Sequence, residues 1–414
     1  MTRPTTKQAH DASDPCFPRA APLHVAPRVA LSLRKGYPWI WRNQLADIPS
    51  RLQAGQPVTI VDDDGFVAYG LWDPSSPIAV RIYSRDKGTP ITVDSLAQAV
   101  ERAIEARHRL FDLTRTNAYR LCHGEGDRVP AVVLDRYDDV AVARFDGAAI
   151  RAWSQPLLDR VWLALMQQGI TRLLERGDNR SDKRLRAIAK APGIAEDLPV
   201  SIETLVVREH GMNLVVDLVH GQKTGAFLDQ RDNRQRVRHM SAGARVLNLF
   251  SYTGGFSCAA ALGAAVHVTS VDIARGANDV AMRTFRANQL DPRAHAFVTA
   301  DVFAFLDQAY ERGDSYDLII SDPPSFAPNE KALAKALQAY RRLHKQCARL
   351  LAPGAVLCAA SCSSHVTMQA FVATLDDQVL ERKMRVLGLY GPPPDHPTLA
   401  SWPEGRYLKF VVLA

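Results

Sequence analysis

A parallel α/β sheet with helices on both faces is predicted for the C-terminal half of the chain, behind a small barrel-like all-β module and a central α+β segment. Three observations carry that expectation. Strand-like and helix-like segments alternate from about residue 205 to the C-terminus. Residues 29–88 hold short β-rich runs broken by turns. The length of 414 residues, with 47% hydrophobic and 23% charged content, suits two to four globular domains and excludes a chain disordered throughout.

Residues 1–25 are rich in Pro, Ala and Thr without a hydrophobic period, so residues 1–27 are assigned to a disordered tail, with order beginning near Val29. Residues 28–90 form the β module. Val58–Val61, Phe66–Leu71 and Ile78–Tyr83 are its strands, and Asp64-Gly65 between two β-rich runs is a hairpin signal. Residues 91–200 form the central domain. A helix is expected over 94–111, with Leu96, Val100, Ile104 and Leu110 on one face, and another over 153–168. Between them Val129–Leu134 and Val140–Phe145 suggest a hairpin turning at Asp138-Asp139. In residues 201–414 the expected strands are Arg245–Phe250, Val266–Val271, Ala296–Ala300, Tyr316–Ser321 and Ala355–Ala360. Helices are expected near 255–263, 274–288, 302–311 and 330–351.

The 51 basic and 44 acidic residues give a net charge of +7, unevenly spread. Residues 1–36 hold six basic residues against two acids, leaving 45 basic and 42 acidic over the rest. The folded body is nearly neutral, so a nucleic-acid surface on it must be a local patch. Six scattered cysteines make no C-x-x-C pair and no His/Cys cluster at metal spacing, so no metal is expected. No apolar run is long enough for a membrane span and the N-terminus lacks a secretory h-region. These features point to the cytoplasm, free thiols and no membrane partner. A homodimer is allowed but not required.

Ligands of a doubly wound sheet bind at the carboxyl ends of the strands, above all at the first strand–helix turn. Here that turn is Ser251-Tyr-Thr-Gly-Gly-Phe-Ser257, which makes Tyr252, Thr253, Gly254 and Gly255 cofactor candidates. It is not G-x-G-x-x-G, so a dinucleotide pyrophosphate is not the natural occupant and a nicotinamide dehydrogenase is disfavoured. Asp272, at the end of the second strand, suits the hydroxyls of a ribose. Asp301 ends the third strand, placed for an adenine amino group. Asp322, followed by Pro323 and Pro324, ends the fourth, where the prolines stiffen a loop entering the site. Each aspartate is equally at home as a helix N-cap; three at successive strand ends favour a nucleoside ligand.

These turn glycines, Asp272, Asp301 and the D-P-P loop resemble the class I S-adenosylmethionine-dependent methyltransferases. Two longer stretches, His220-Gly-Gln-Lys-Thr-Gly-Ala-Phe-Leu-Asp-Gln-Arg-Asp232 and Asn248-Leu-Phe-Ser-Tyr-Thr-Gly-Gly-Phe-Ser257, resemble the bacterial large-subunit rRNA cytosine-5 methyltransferases. The likeness extends to Gly124-Glu-Gly-Asp127 with Pro130, Ser361-Cys-Ser363, Asp395-His-Pro397 and Pro403-Glu-Gly-Arg-Tyr-Leu-Lys409. It implies a PUA domain for the β module, a central α+β domain, a Rossmann-like catalytic domain, S-adenosylmethionine as cofactor and rRNA as partner. It also implies that Phe227, Gln230 and Arg231 help close the cofactor pocket, the aromatic against adenine or methionine and Arg231 toward the carboxylate. For the run Arg231, Arg234, Arg236 and Arg238, a solvated helix face is expected of at least two.

Carbon 5 of a pyrimidine is a poor nucleophile unless a thiolate first adds at carbon 6. Cys362, just beyond the last expected strand, suits that role. By composition a cysteine at a strand end is more often a small buried hydrophobe, and the family motif reverses that reading. Many RNA cytosine-5 methyltransferases carry a second cysteine after the D-P-P-type loop; here Ser325 stands there, leaving Asp322 as the candidate base. A target base must be unpaired or flipped out, and Phe326 beside Pro323 and Pro324 could stack on it or belong to the core. Arg341, Lys345 and Arg349 share one helical face, as a phosphate contact or a solvated face. Arg34, Lys35, Trp39 and Trp41 set basic and aromatic residues together in the β module, although both tryptophans could be core. Two alternatives stay open: guanine N2 methylation, which D-P-P also suits and which needs no cysteine, and a non-catalytic RNA-binding protein that keeps the fold.

Overall fold

A computed structural model describes residues 15, 20–47, 51–177, 185–193, 204–327 and 329–414. Its contacts divide the chain into two compact units. The first comprises Met1–Phe111, Ala118–Pro199 and Asp395–Pro403; the second Asp112–Asn117, Val200–Pro394 and Glu404–Ala414. Most of the expected tail, with Cys16, lies outside the described residues.

The first unit carries two five-stranded sheets. In the N-terminal one, β1 (Ala21–His24), β3 (Pro57–Asp62), β4 (Gly65–Trp72), β5 (Ile78–Ser84) and β2 (Trp39–Trp41) lie side by side in that order. Order therefore starts earlier than expected. β1 pairs in parallel with β3, Leu23 opposite Ile60, and the helix Pro27–Arg34 follows directly. The short strand was illegible because its pairing partner is distant in sequence; Leu23 and Val25 contribute to the same core as Val58, Ile60, Val80 and Ile82. β3 alternates, burying Val58, Ile60 and Asp62. The buried Asp62 is held by Arg34 through bonds of 2.5 and 2.8 Å. The expected hairpin turns into Gly65, whose φ of +108° a side chain would resist.

The second sheet runs β10 (Leu185–Lys190), β9 (Arg172–Arg176), β8 (Val140–Phe145), β7 (Val132–Tyr137) and β6 (Ala118–His123). The helix expected over 94–111 is Val93–His108, so Leu110 falls beyond it and is exposed rather than packed. The strand expected over 129–134 is shifted three residues on, because Ala131 takes a φ of +65° that no strand continues through.

The second unit contains the hairpin β11 (Thr204–Glu209) and β12 (Met212–Asp217) and a seven-stranded sheet. In spatial order the latter is β15 (Ala296–Thr299), β14 (His267–Asp272), β13 (Arg245–Leu249), β16 (Tyr316–Ser321), β17 (Leu351–Ser361), β19 (Lys409–Leu413) and β18 (Val386–Tyr390). The first five are parallel, and β13 sits beside both β14 and β16, so the strand order reverses next to it. Most residues of these central strands are buried, the apolar Val246, Leu247, Ile319 and Ile320 and also the polar Asn248, Thr269 and Ser270, as covering on both faces requires. β19 returns antiparallel between β17 and β18. The helices Gly255–Leu262, Arg275–Ala287, Val302–Glu311 and Leu333–Arg349 supply the crossovers. The last begins later than the expected 330, after a 3-10 turn capped by Asn329.

Candidate active site

Three residues in five take left-handed backbone after β13: Phe250, Tyr252 and Gly254, with φ of +57°, +47° and +74°. Such strain persists where surrounding bonds hold it, and it gathers at functional loops. Here the Ser251 amide donates to the Val271 carbonyl at 3.0 Å and the Tyr252 amide to Asp272 Oδ2 at 2.8 Å. Asp272 Oδ1 accepts from the Ala274 amide at 2.9 Å. The half-buried Asp272 thus ties the first and second strand ends together and keeps further lone pairs for a ligand. Gly254 is the N-cap of the next helix, and a Cβ there would stand 2.6 Å from that of Ala281. A Cβ on Gly255 would come within 3.0 Å of Arg234 Cδ. Thr253, which precedes both glycines, is half-buried. Asp301 caps the helix Val302–Glu311, its Oδ1 accepting from the Ala304 amide at 3.0 Å, and its carboxylate is exposed. The cap reading is therefore realised, with Oδ2 left to the site.

The segment 220–232 folds against this loop. The Gln222 amide donates to the Tyr252 hydroxyl at 2.9 Å, and Phe227 meets the Tyr252 ring edge-on at 5.4 Å. Gln230 is buried; its Oε1 accepts from Asn233 Nδ2 at 2.7 Å, which leaves its Nε2 to donate to Asp322 Oδ2 at 2.9 Å. Burial, then the nearby Asp229, pushes the Asp322 carboxyl up to about 7, against Lys223, the Gln230 bond and Arg234. Lys223 is bonded to Asp229 Oδ2 at 2.7 Å and lies 4.5 Å over the Phe227 ring; the Tyr407 hydroxyl donates to the same oxygen at 2.7 Å.

Cys362 follows β17 directly and is half-buried, whereas Cys122, Cys258, Cys347 and Cys358 are fully buried. Burial raises the Cys362 thiol, Asp322 raises it further, and Lys223 and Lys409 oppose both. Behind it runs a chain of hydroxyls. Ser325 Oγ lies 2.9 Å from Ser363 Oγ, which is 3.3 Å from the Tyr340 hydroxyl, itself donating to Ser361 Oγ at 2.9 Å. The position a second cysteine would occupy is thus filled by an exposed serine bonded to Ser363, the neighbour of Cys362.

Several expectations change. No member of the arginine run is a fully solvated residue. Arg231 is 1% exposed and bonds Asp232 at 3.2 Å, and Arg234 is buried in a bidentate pair with Glu209. Arg236 stacks 3.9 Å over Tyr390, and Arg238 is half-buried. Phe326 packs on the core with its ring 4.9 Å from Tyr340, the core reading of that residue. Pro323 is buried and Pro324 exposed. On the basic helix face, Lys345 is paired with Glu381 at 2.5 Å, while Arg341 is exposed. Lys223, Asp229, Tyr407 and Lys409 were not singled out by sequence reasoning, although the first two lie in the motif His220–Asp232 and the last two in Pro403–Lys409.

In the first unit, a cleft of about 580 Å³ is lined by Ala26, Arg28, Tyr37, Trp39, Trp41 and Gln44, among others. Trp39 and Trp41 meet edge-on at 5.5 Å and both are half-buried, so they form a wall rather than core. Arg34, engaged with Asp62, points its charge elsewhere. Among the described residues no three His, Cys, Asp or Glu side chains gather as a metal would require, and no helix is long and apolar enough to cross a membrane.

Known proteins resemble this chain in sequence and fold. A family model described as S-adenosylmethionine-dependent methyltransferase matches residues 191–385, and one described as PUA-like domain matches residues 23–85. The ribosomal RNA large subunit methyltransferase I of Alteromonas mediterranea is 34% identical over 385 residues, covering 92% of this chain and 95% of that one. Its namesake from Salmonella arizonae is 33% identical over 401 residues, 95% of this chain and 97% of that one. Among solved structures, the methyltransferase SMU.776 complexed with SAH superposes with a TM-score of 0.80 at 26% identity, over 95% of this chain and all of that one. A chain from Streptococcus mutans has the same fold, with a TM-score of 0.81 at 24% identity, covering 95% and 99%.

Proposed function

Because the chain belongs to the ribosomal RNA large subunit methyltransferase I family, we propose that it methylates carbon 5 of a cytosine in large-subunit rRNA through a covalent bond from Cys362 to carbon 6 of the base. The enzyme is an S-adenosylmethionine-dependent methyltransferase. The observation that carries the finer reading is the half-exposed Cys362 at the end of β17 beside Asp322, in a chain whose other described cysteines are sealed in the core.

The residues present fit a nucleoside cofactor. The loop 251–254 offers a tight turn, and Asp272 has a half-buried carboxylate with lone pairs to spare at the end of the second strand. Asp272 would hold the ribose, Asp301 the adenine edge, and Phe227 and Tyr252 would wall the pocket. Arg231, buried against Asp232, shapes the segment that carries Gln230. When bound, S-adenosylmethionine supplies an electrophilic methyl carbon.

The protein's own groups account for the rest. Cys362 as thiolate attacks carbon 6, and the electron pair of the 5,6 double bond moves so that carbon 5 becomes nucleophilic. After carbon 5 has gained its methyl group, Asp322 as carboxylate takes the proton from it. The electrons re-form the double bond and expel the thiolate. A carboxyl with a proton affinity near neutrality is better matched to that task than an ordinary aspartate. With serine at position 325, Cys362 both attacks and leaves. The aromatic cleft of the PUA-like module would stack unpaired bases of the same rRNA, a contact of about 1–3 kcal/mol per base.

The test is C362A. We expect loss of at least about 10³-fold in rRNA methylation. Wild-type protein, but not the variant, should form a denaturation-resistant adduct with RNA carrying 5-fluorocytidine, from which the carbon 5 substituent cannot leave as a proton. Full methylation by C362A contradicts the covalent reading and favours transfer to an exocyclic amine.

A further inference from the structure

We infer that Lys409 is the fixed counter-cation of the Cys362 thiolate, a positioning residue for the nucleophile; the inference rests on the reading of Cys362 above. Lys409 opens β19, and the antiparallel register sets it opposite Ser361, the residue before the nucleophile. Its side chain does not reach solvent, the residue being 1% exposed. Nζ donates to the carbonyl of Ser363, the residue after the nucleophile, at 2.5 Å, and to the carbonyl of Tyr407 at 2.7 Å. The ammonium is therefore clamped against the backbone that carries Cys362, with one of its three donors unspent.

A buried ammonium is ordinarily paired with an acid, because burying a charge without a counter-charge costs several kcal/mol. Among the described residues Lys409 makes no ion pair; its partners are two carbonyl oxygens. Burial accordingly lowers it to about 8, and Cys362 is the group that pulls it back up. The sulfur has the opposite difficulty. Burial and the Asp322 carboxylate, and to a smaller extent Asp229, resist its ionisation; Lys223 and Lys409 favour it. Tyr340 also faces the thiol, and its hydroxyl is spent on Ser361. Lys223 is already bonded to Asp229 and is 34% exposed at its side chain. Lys409 is the cation of the pair that brings no carboxylate of its own, so ionising Cys362 completes two half-satisfied groups at once.

The lysine keeps its protons throughout. The thiol proton leaves to solvent before attack, the thiolate adds to carbon 6 and later departs from it, and the ammonium stabilises the sulfur anion at both moments.

Full-length protein without RNA is sufficient for the test. The rate of carboxamidomethylation of Cys362 by iodoacetamide, read on its peptide by mass spectrometry, is followed from pH 6 to pH 10. We expect K409M to move the midpoint upward by a unit or more, so that Cys362 reacts at least about tenfold more slowly at pH 7.5. K409R should recover most of that reactivity, and kcat for rRNA methylation should fall in K409M with KM for RNA unchanged. A folded K409M that follows the wild-type curve overturns the proposal. If K409M does not fold, the coupling is read from the other side, since it must be reciprocal. In C362A carrying ¹³Cε-lysine, the Lys409 titration should fall below that of the wild type, and an unchanged titration overturns the proposal. Methylation retained by C362A would remove the nucleophile reading instead, whatever the alkylation curves show.

Discussion

At the residue scale, two aspartates at strand ends are treated in opposite ways. Asp301 is exposed and caps a helix, whereas Asp322 is drawn into the unit beside Asp229, and its proton affinity rises to about 7. A carboxyl whose folded value lies above its unfolded value favours the fold only while protonated. Its cost to stability therefore sets in as pH climbs above about 4 and is complete above about 7. D322N keeps the acceptor for Gln230 and removes the charge. Its melting temperature should exceed that of the wild type by a margin that widens from pH 5 to pH 8. Its methylation rate should fall by at least about 10²-fold and lose the rising limb near pH 7. An identical pH–rate profile in D322N would remove Asp322 as the base. The motif made this aspartate legible, but not its surroundings. Lys223, Asp229, Tyr407 and Lys409 come from chain positions nearly two hundred residues apart, and only the closed fold brings them together.

At the element scale, the loop between β13 and its helix holds three residues in left-handed backbone, where the proposed cofactor would meet it. Replacing Gly254 by Ala adds a positive-φ penalty and a 2.6 Å contact with Ala281. We expect about 2–4 kcal/mol of lost stability in urea titration, with weakened S-adenosylmethionine binding by calorimetry. The five parallel strands were legible as short β-favouring segments, such as Leu318–Ile320, that alternate with helical ones. β18 and β19 were not. β18 is an edge strand with Val386, Leu387 and Leu389 exposed and a glycine inside it, and β19 begins on a buried lysine. β18 lacks an alternation that periodicity can find, whereas Phe410–Leu413 in β19 is a short apolar run that was not read as a strand. The arginine helix Arg231–Met240 misled for a related reason. Its charge reads as a solvated face, yet Glu209 and Tyr390, distant in sequence, take up two of the guanidinium groups.

At the scale of the whole molecule, the net charge of +7 is carried largely by residues 1–36, and the rest is close to neutral. Recognition then rests on shaped sites more than on a broad field, which predicts a shallow salt dependence of RNA affinity, equivalent to about two or three phosphate contacts. W39A/W41A should weaken RNA binding by about tenfold or more, leave S-adenosylmethionine affinity unchanged and leave the salt slope nearly untouched, as loss of base stacking does. A steep slope would instead assign binding to many phosphate contacts. The division into a PUA-like module and an α/β catalytic region was legible from strand rhythm and motif order. The return of Asp395–Pro403 to the first unit was not, because nothing local marks a segment that leaves one unit for another. Mass spectrometric mapping of large-subunit rRNA from cells lacking this protein reads the proposed reaction on its own product. One 5-methylcytidine should disappear, return with the wild-type chain and not return with C362A. Loss of an N2-methylguanosine instead, or restoration of the methylcytidine by C362A, would contradict it.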